Sequence, residues 1–153
     1  MKKFLTILSF FIIIFSFSTK IYAVEPDIFV QTTVNRAAKT LGQSLTKEQR
    51  VEKLKDIARE TVDIRGIGFY SLGAHRKGLN KDQLENYKNI FEAYFLKSFA
   101  SRLAEYSNPE IEVNSQKKIN DNYTIVSSTL LATDTRPEVK IEWRVYTKNP
   151  ENL

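Results

Sequence analysis

Few residues of this chain have the type and spacing to do covalent chemistry. The one histidine, His75, stands beside Arg76 and Lys77. Near a helix end such a cation is favoured by the helix dipole, so the triplet reads as a surface or structural cluster rather than a general base. There is no cysteine. That removes a thiol nucleophile, a secretory disulfide framework and every cysteine-type zinc site. Arg65-Gly66-Ile67-Gly68 carries two glycines but lacks the spacing and the preceding strand of a phosphate-binding loop. No carboxylate cluster has the spacing of a metal loop. Asn122-Tyr123-Thr124 matches a glycosylation sequon, too short a pattern to carry weight. No catalytic constellation forms, so neither catalysis nor a cofactor nor a metal is expected.

The residues that do stand out are apolar and aromatic. Leu84, Tyr87, Phe91, Tyr94, Phe95, Phe99, Leu103 and Tyr106 recur at helical spacing on one wide stripe, and six of these eight are aromatic. Such a stripe is either hydrophobic core or the wall of an apolar pocket. The second option has a chemistry of its own. Each CH₂ of an acyl chain exposed to water costs about 0.8 kcal/mol, so a protein carrying a lipid through water must enclose most of its tails. A cavity between a curved sheet and helices does this with no polar chemistry.

The elements that position this stripe follow from caps and periodicity. Asp27 is a candidate cap for a helix reaching Leu41 and stopped by Gly42. Thr46-Lys47-Glu48-Gln49 reads as a capping box, opening a helix with Val51, Leu54, Ile57 and Ala58 on one face. Asp63 caps a short third helix ending at Leu72-Gly73. Gly66 and Gly68 weaken it by about 1 kcal/mol each against Ala. Their presence implies close packing, a ligand approaching the backbone, or a loose turn. Asn80 to Gln83 starts the long helix, which Asn108-Pro109 ends. From Glu110 the period changes to two: Ile111 and Val113, then Tyr123 to Leu131 after an Asp121-Asn122 turn. Last come Val139, Ile141, Trp143 and Val145, alternating with Lys140, Glu142, Arg144 and Tyr146. Helices followed by consecutive strands predict an α+β domain, with N-terminal helices packed on a twisted antiparallel sheet.

The N-terminus has a different purpose. Met1-Lys2-Lys3 is a positive start, Phe4 to Phe17 is a nearly unbroken apolar run of about 14 residues, and Ile21-Tyr22-Ala23 offers a small residue at its exit. The run is short for a membrane span, which needs about 20 apolar residues. Residues 1–23 are therefore expected to be a secretory signal peptide cleaved after Ala23, the alternative being an uncleaved anchor. Cleavage leaves 130 of the 153 residues, 24–153, as a single domain. Lys2, Lys3 and Lys20 are three of the 23 basic residues. Without them 20 remain against 18 acidic ones, a net of +2. Basic and acidic residues are interspersed, with no stripe for nucleic acid.

Three stretches together resemble the MlaC family of periplasmic phospholipid carriers, also known as toluene-tolerance or ABC-transporter auxiliary proteins. They are Ser71-Leu72-Gly73-Ala74-His75-Arg76, then Leu79-Asn80-Lys81-Asp82-Gln83, then Phe91 through Tyr106. Val62-Asp63 stand where the family has the same pair before its glycine-interrupted helix. Phe99-Ala100-Ser101, Leu103-Ala104 and Tyr106 match its alanine-rich helix end, and Val139 to Arg144 match its alternating strand. The resemblance spans most of residues 24–153.

It implies helices on a twisted antiparallel sheet with an apolar pocket between them, lined here by Phe69, Leu72, Phe91, Tyr94, Phe95, Phe99, Leu130, Ile141 and Trp143. It implies a periplasmic carrier of phospholipid between an inner-membrane ABC transporter complex and an outer-membrane lipoprotein complex. Such a carrier maintains outer-membrane lipid asymmetry, with no cofactor and no catalysis. The domain is expected to be a monomer. The family pattern continues past this strand with another strand and C-terminal helices, whereas the sequence here stops at Leu153 after a turn-like Asn149-Pro150-Glu151-Asn152. The expectation is thus a C-terminally shortened member whose last strand has an open edge. The alternative is a periplasmic interaction module, or a decayed family member, that holds no lipid.

Overall fold

Proline has no N–H to lose at the start of a helix, and the first helix begins on one. In the computed structural model, which describes residues 24–147, α1 runs over Pro26–Leu41. Glu25, not Asp27, is its cap residue; Asp27 sits in the first turn, where its carboxylate accepts from the Ile28 N–H at 2.9 Å. The expected signal segment and the terminal turn at 149–152 lie outside the described residues.

The other helices start where their caps dictate. Helix α2, Lys47–Thr61, opens with the expected capping box: the Gln49 N–H donates to Thr46 Oγ1 at 3.2 Å, and the Thr46 N–H donates to Gln49 Oε1 at 3.0 Å. Helix α3, Ile64–Leu72, is capped by Asp63, whose carboxylate accepts from the Gly66 N–H at 2.8 Å. It stops at Gly73, whose φ of +56° favours glycine. A 3₁₀ segment, Gly73–Gly78, leads to α4, Lys81–Leu103. A second capping box, Asn80 with Gln83, opens α4.

Three strands follow: β1, Ile111–Asn120; β2, Tyr123–Leu130; and β3, Val139–Tyr146. They pair antiparallel in the order β1-β2-β3. The turn between β1 and β2 is closed by the Asn120 side chain, which accepts from the N–H groups of Asn122 and Tyr123 at 2.9 and 3.1 Å. Register places Val126 opposite Trp143, Ser128 opposite Ile141 and Leu130 opposite Val139. One face of the sheet is consequently apolar, and its mate carries Lys140, Glu142 and Arg144.

Layers stack on that apolar face. Val30 and Val34 of α1 pack against Val126 and Val145, with Phe29, Ile111, Val113 and Trp143 around them. Behind α1 lies α2. Leu41, Leu54, Ala100 and Ala104 then join α1, α2 and the end of α4, while Ala58, Ile64 and Leu96 join α2, α3 and α4. Ala58 and Ala100 are at most 1 % exposed; their small side chains let α2 and α4 approach closely.

Candidate functional site

The nine residues expected to line a pocket fall into two groups. On the helices, Tyr87, Phe91, Phe95 and Phe99 form one ladder of rings at i, i+4 spacing, with successive centroids 5.8, 6.3 and 5.5 Å apart. Offset rings at these separations attract one another beyond their area burial. Phe91, Phe95 and Phe99 are half-buried against Ala58, Ile64 and Leu96. Leu72 is half-buried at the end of α3. Tyr94 is 69 % exposed and takes no part in this packing, so the stripe is narrower than its sequence spacing implies.

The glycine-interrupted helix explains the contact between α3 and this ladder. A Cβ on Gly68 would lie 2.9 Å from Phe91 Cδ1, and Tyr87 Oη donates to the Gly68 carbonyl at 3.0 Å. A methyl on Gly66 would overlap the Asp63 carboxylate that caps the helix. Of the readings open for the two glycines, close packing is the one seen. Phe69, Gly68, Tyr87 and Phe91 border a concavity of about 10 Å³, room for about one water. The Lys88 ammonium stands 5.6 Å from the centre of the Phe69 ring.

The second group lies on the sheet. Leu130, Ile141 and Trp143 share the apolar face, but α1 covers only the part around Val126 and Val145. Trp143 is tied down there: its indole N–H donates to Ser128 Oγ at 2.8 Å, and Ser128 is 2 % exposed. Past Ile141 the face runs out from under the helix. Leu130 and Val139 open into a cleft of about 470 Å³ between the exit of α4 and the loop joining β2 to β3. That volume falls in the range of about 300–1,000 Å³ usual for small-molecule sites. Tyr106, Pro109, Leu131 and Pro137 supply further apolar wall.

One cation is fixed at this cleft. The Arg136 guanidinium lies 4.4 Å from the centre of the Tyr106 ring and donates to the Glu105 carbonyl at 3.2 Å. Its loop is held by reciprocal backbone bonds between Thr133 and Arg136 of 2.9 and 3.2 Å. Apolar walls with one guanidinium suit an amphiphile with an anionic group.

Sequence reading missed Leu131, Val139 and Arg136 as cleft residues. The pairing of Leu130 with Val139 was the available signal, since it sets where the connecting loop must bulge.

The chemistry of the remaining titratable groups is ordinary. His75 is exposed on the 3₁₀ segment. Among the described residues no group of three or more His, Cys, Asp or Glu side chains is placed to hold a metal, and no helix is long and apolar enough to cross a membrane. Glu85 and Asp121 have carboxyls held below the usual range by hydrogen bonds from Lys88 and Lys118, both exposed pairs away from the cleft.

Comparison with known proteins gives a consistent likeness. The family model described as MlaC protein matches residues 30–152. The intermembrane phospholipid transport system binding protein MlaC of Haemophilus influenzae is 27% identical over 128 residues. The match takes in 80% of this chain and 60% of that protein, so the chain spans about 60% of its relative's length. A phospholipid-binding protein from Ralstonia solanacearum, solved in complex with a phospholipid, superposes with a TM-score of 0.64 at 16% identity, over 78% of this chain and 69% of the other. At that identity the likeness is one of fold.

Proposed function

The chain belongs to the MlaC family, and from that premise we propose that it is a periplasmic phospholipid-binding carrier in an intermembrane lipid transport system. The observation that carries this reading is the apolar sheet face that leaves the shelter of α1 at Ile141 and opens, through Leu130 and Val139, into the 470 Å³ cleft. An acyl chain laid on that face escapes water. At about 0.8 kcal/mol per CH₂, a chain of about 16 carbons is worth on the order of 12 kcal/mol. Arg136 stands at the same cleft, where a phosphodiester would meet a charge-assisted donor. The ladder Phe91–Phe95–Phe99 contributes from the helical side, chiefly by holding α3 and α4 together.

The work asked of such a site is binding, orientation and exclusion of water, so no nucleophile, base or cofactor is needed. Residues 1–23 act as the cleaved export signal, and the partners are an inner-membrane ABC transporter complex and an outer-membrane lipoprotein complex. The rival reading, a docking module that holds no lipid, draws on the openness and the polar half of the cleft lining, Glu105, Ser107, Thr133 and Thr135 among it.

Quenching of Trp143 tests the two readings. The protein is mixed with vesicles of a phospholipid brominated on its acyl chains. A carrier loses Trp143 emission as the tail settles beside the indole, and Leu130→Asp abolishes the loss while thermal unfolding shows the variant folded. Unchanged emission in the wild type sinks the carrier reading and favours the docking module.

A further inference from the structure

The two edges of the sheet are not alike. On the β1 side the outward backbone groups meet a plug from α1: the Gln31 side-chain amide donates to the Ile111 carbonyl at 3.4 Å and accepts from the Val113 N–H at 3.3 Å. Register shifts between Val113 and Ser115 and between Lys118 and Asn120 break up the rest of that edge. On the β3 side, register is regular from Val139 to Tyr146, and β2 is the one element that packs extensively against β3 among the described residues. The Thr147 N–H donates to the Asn122 carbonyl at 2.8 Å. This fixes the phase of the ladder: odd-numbered residues of β3 bond to β2, and the N–H and C=O groups of Lys140, Glu142, Arg144 and Tyr146 point to the open side.

From this edge we infer that β3 pairs antiparallel, about a two-fold axis, with β3 of a second copy of this chain. The ladder phase allows only pairings that set even-numbered residues opposite one another, and charge separates these sharply. An axis at Lys140 sets Lys140 against itself and Glu142 against Glu138. An axis at Glu142 sets Glu142 against itself and Lys140 against Arg144; one at Arg144 sets Arg144 against itself. An axis at Trp143 gains Glu142 with Arg144 but leaves Lys140 against Tyr146.

The axis at Ile141 alone sets Lys140 against Glu142 and Glu138 against Arg144, each twice, so every charged residue from 138 to 144 meets its opposite. On the inner face the same axis sets Ile141 beside Ile141 and Val139, 43 % exposed in the single chain, beside Trp143. The arrangement is isologous and closes on itself, so it makes a dimer and not a fibre. A strand-edge contact of this length is small, and the dimer is a weak one. It replaces the monomer expected from the sequence and stands independently of any lipid.

Charge exchange tests it. Lys140 faces Thr129 and Glu142 faces Ser127 on β2, neutral neighbours, so substitutions at these exposed positions leave the domain's own pairs intact. The full chain is expressed with its own N-terminal segment, recovered from a bacterial periplasm and followed by sedimentation velocity from about 1 to about 300 µM, the range of a weak dimer. The wild type dimerises within this range. Lys140→Glu alone and Glu142→Lys alone each weaken the dimer by about tenfold or more, with circular dichroism showing both folded. Mixed together they form a heterodimer, and the double exchange Lys140→Glu with Glu142→Lys restores the homodimer. A wild type that stays monomeric throughout overturns the inference. So does a dimer that survives both single exchanges, or a mixture of the two variants that fails to associate.

Discussion

Replacing Ser128 with alanine removes one atom that the apolar face depends on. Ser128 is 2 % exposed on β2, and its hydroxyl receives the Trp143 indole N–H at 2.8 Å. Trp143 is itself half-buried, against the cluster of Val30, Val34, Val126 and Val145. In Ser128→Ala the hydroxyl goes, almost no volume is lost, and the indole N–H is left without its acceptor in an apolar setting. The cost of such an orphan is about 1–2 kcal/mol. For a domain of this size that lowers Tm by about 3–8 °C. Trp143 is the single tryptophan, so its emission reports both unfolding and local polarity in one thermal scan. In a Trp143→Phe background, followed by circular dichroism, the same Ser128→Ala change costs much less, because the donor is already gone. A Tm within about 1 °C of wild type for Ser128→Ala, or an equal loss in both backgrounds, would refute the assignment of this bond as what holds the indole on the sheet.

Other outcomes follow from single contacts. Gly68→Ala drives a methyl against the Phe91 ring and should destabilise by about 1–3 kcal/mol, with Phe91→Leu recovering part of the loss in chemical denaturation. His75→Ala, on an exposed 3₁₀ segment, should leave lipid retention unchanged in an extraction assay; a large loss would point to chemistry at that residue. The Glu85 carboxyl is held below its usual range, chiefly by the hydrogen bond from Lys88. A depressed carboxyl contributes stability that is present at neutral pH and lost as pH falls through the lowered pKa. Wild type should therefore melt slightly higher than Glu85→Gln at about pH 7, with the difference closing below about pH 4 and shrinking in high salt.

Legibility in the sequence followed the range of the interactions involved. The capping boxes at Thr46 and Asn80, the Asp63 cap and the Gly73 stop are contacts within three residues, and each stands where the sequence places it. The strict alternation from Val139 to Tyr146 likewise announces β3. At α1 the local signal misleads, because Asp27 is a good cap residue but Pro26 needs no cap for its missing N–H.

Over longer range the sequence shows residue size better than it shows contact. The large aromatic residues of α4 draw the eye, yet the most deeply buried positions of that helix are Leu96 and Ala100, with the small Ala100 set where α2 crosses close by. Tyr94 has the spacing of the stripe but faces water. The cleft was the least legible part. It depends on where α4 ends, on where the loop after Leu130 turns back at Thr133 and Arg136, and on how far α1 reaches along the sheet. None of these leaves a periodic trace. The edge of β3 needed both levels: alternation shows the charges, and the ladder phase shows which backbone groups stand open beside them.

The central claim is that this domain holds a phospholipid. Its most direct test is native mass spectrometry of the protein recovered gently from a bacterial periplasm, followed by organic extraction and lipid identification. The account predicts excess bound mass that resolves into intact phospholipid, and its loss in Leu130→Asp. A folded protein that carries no lipid mass, and takes none up from phospholipid vesicles, would contradict it.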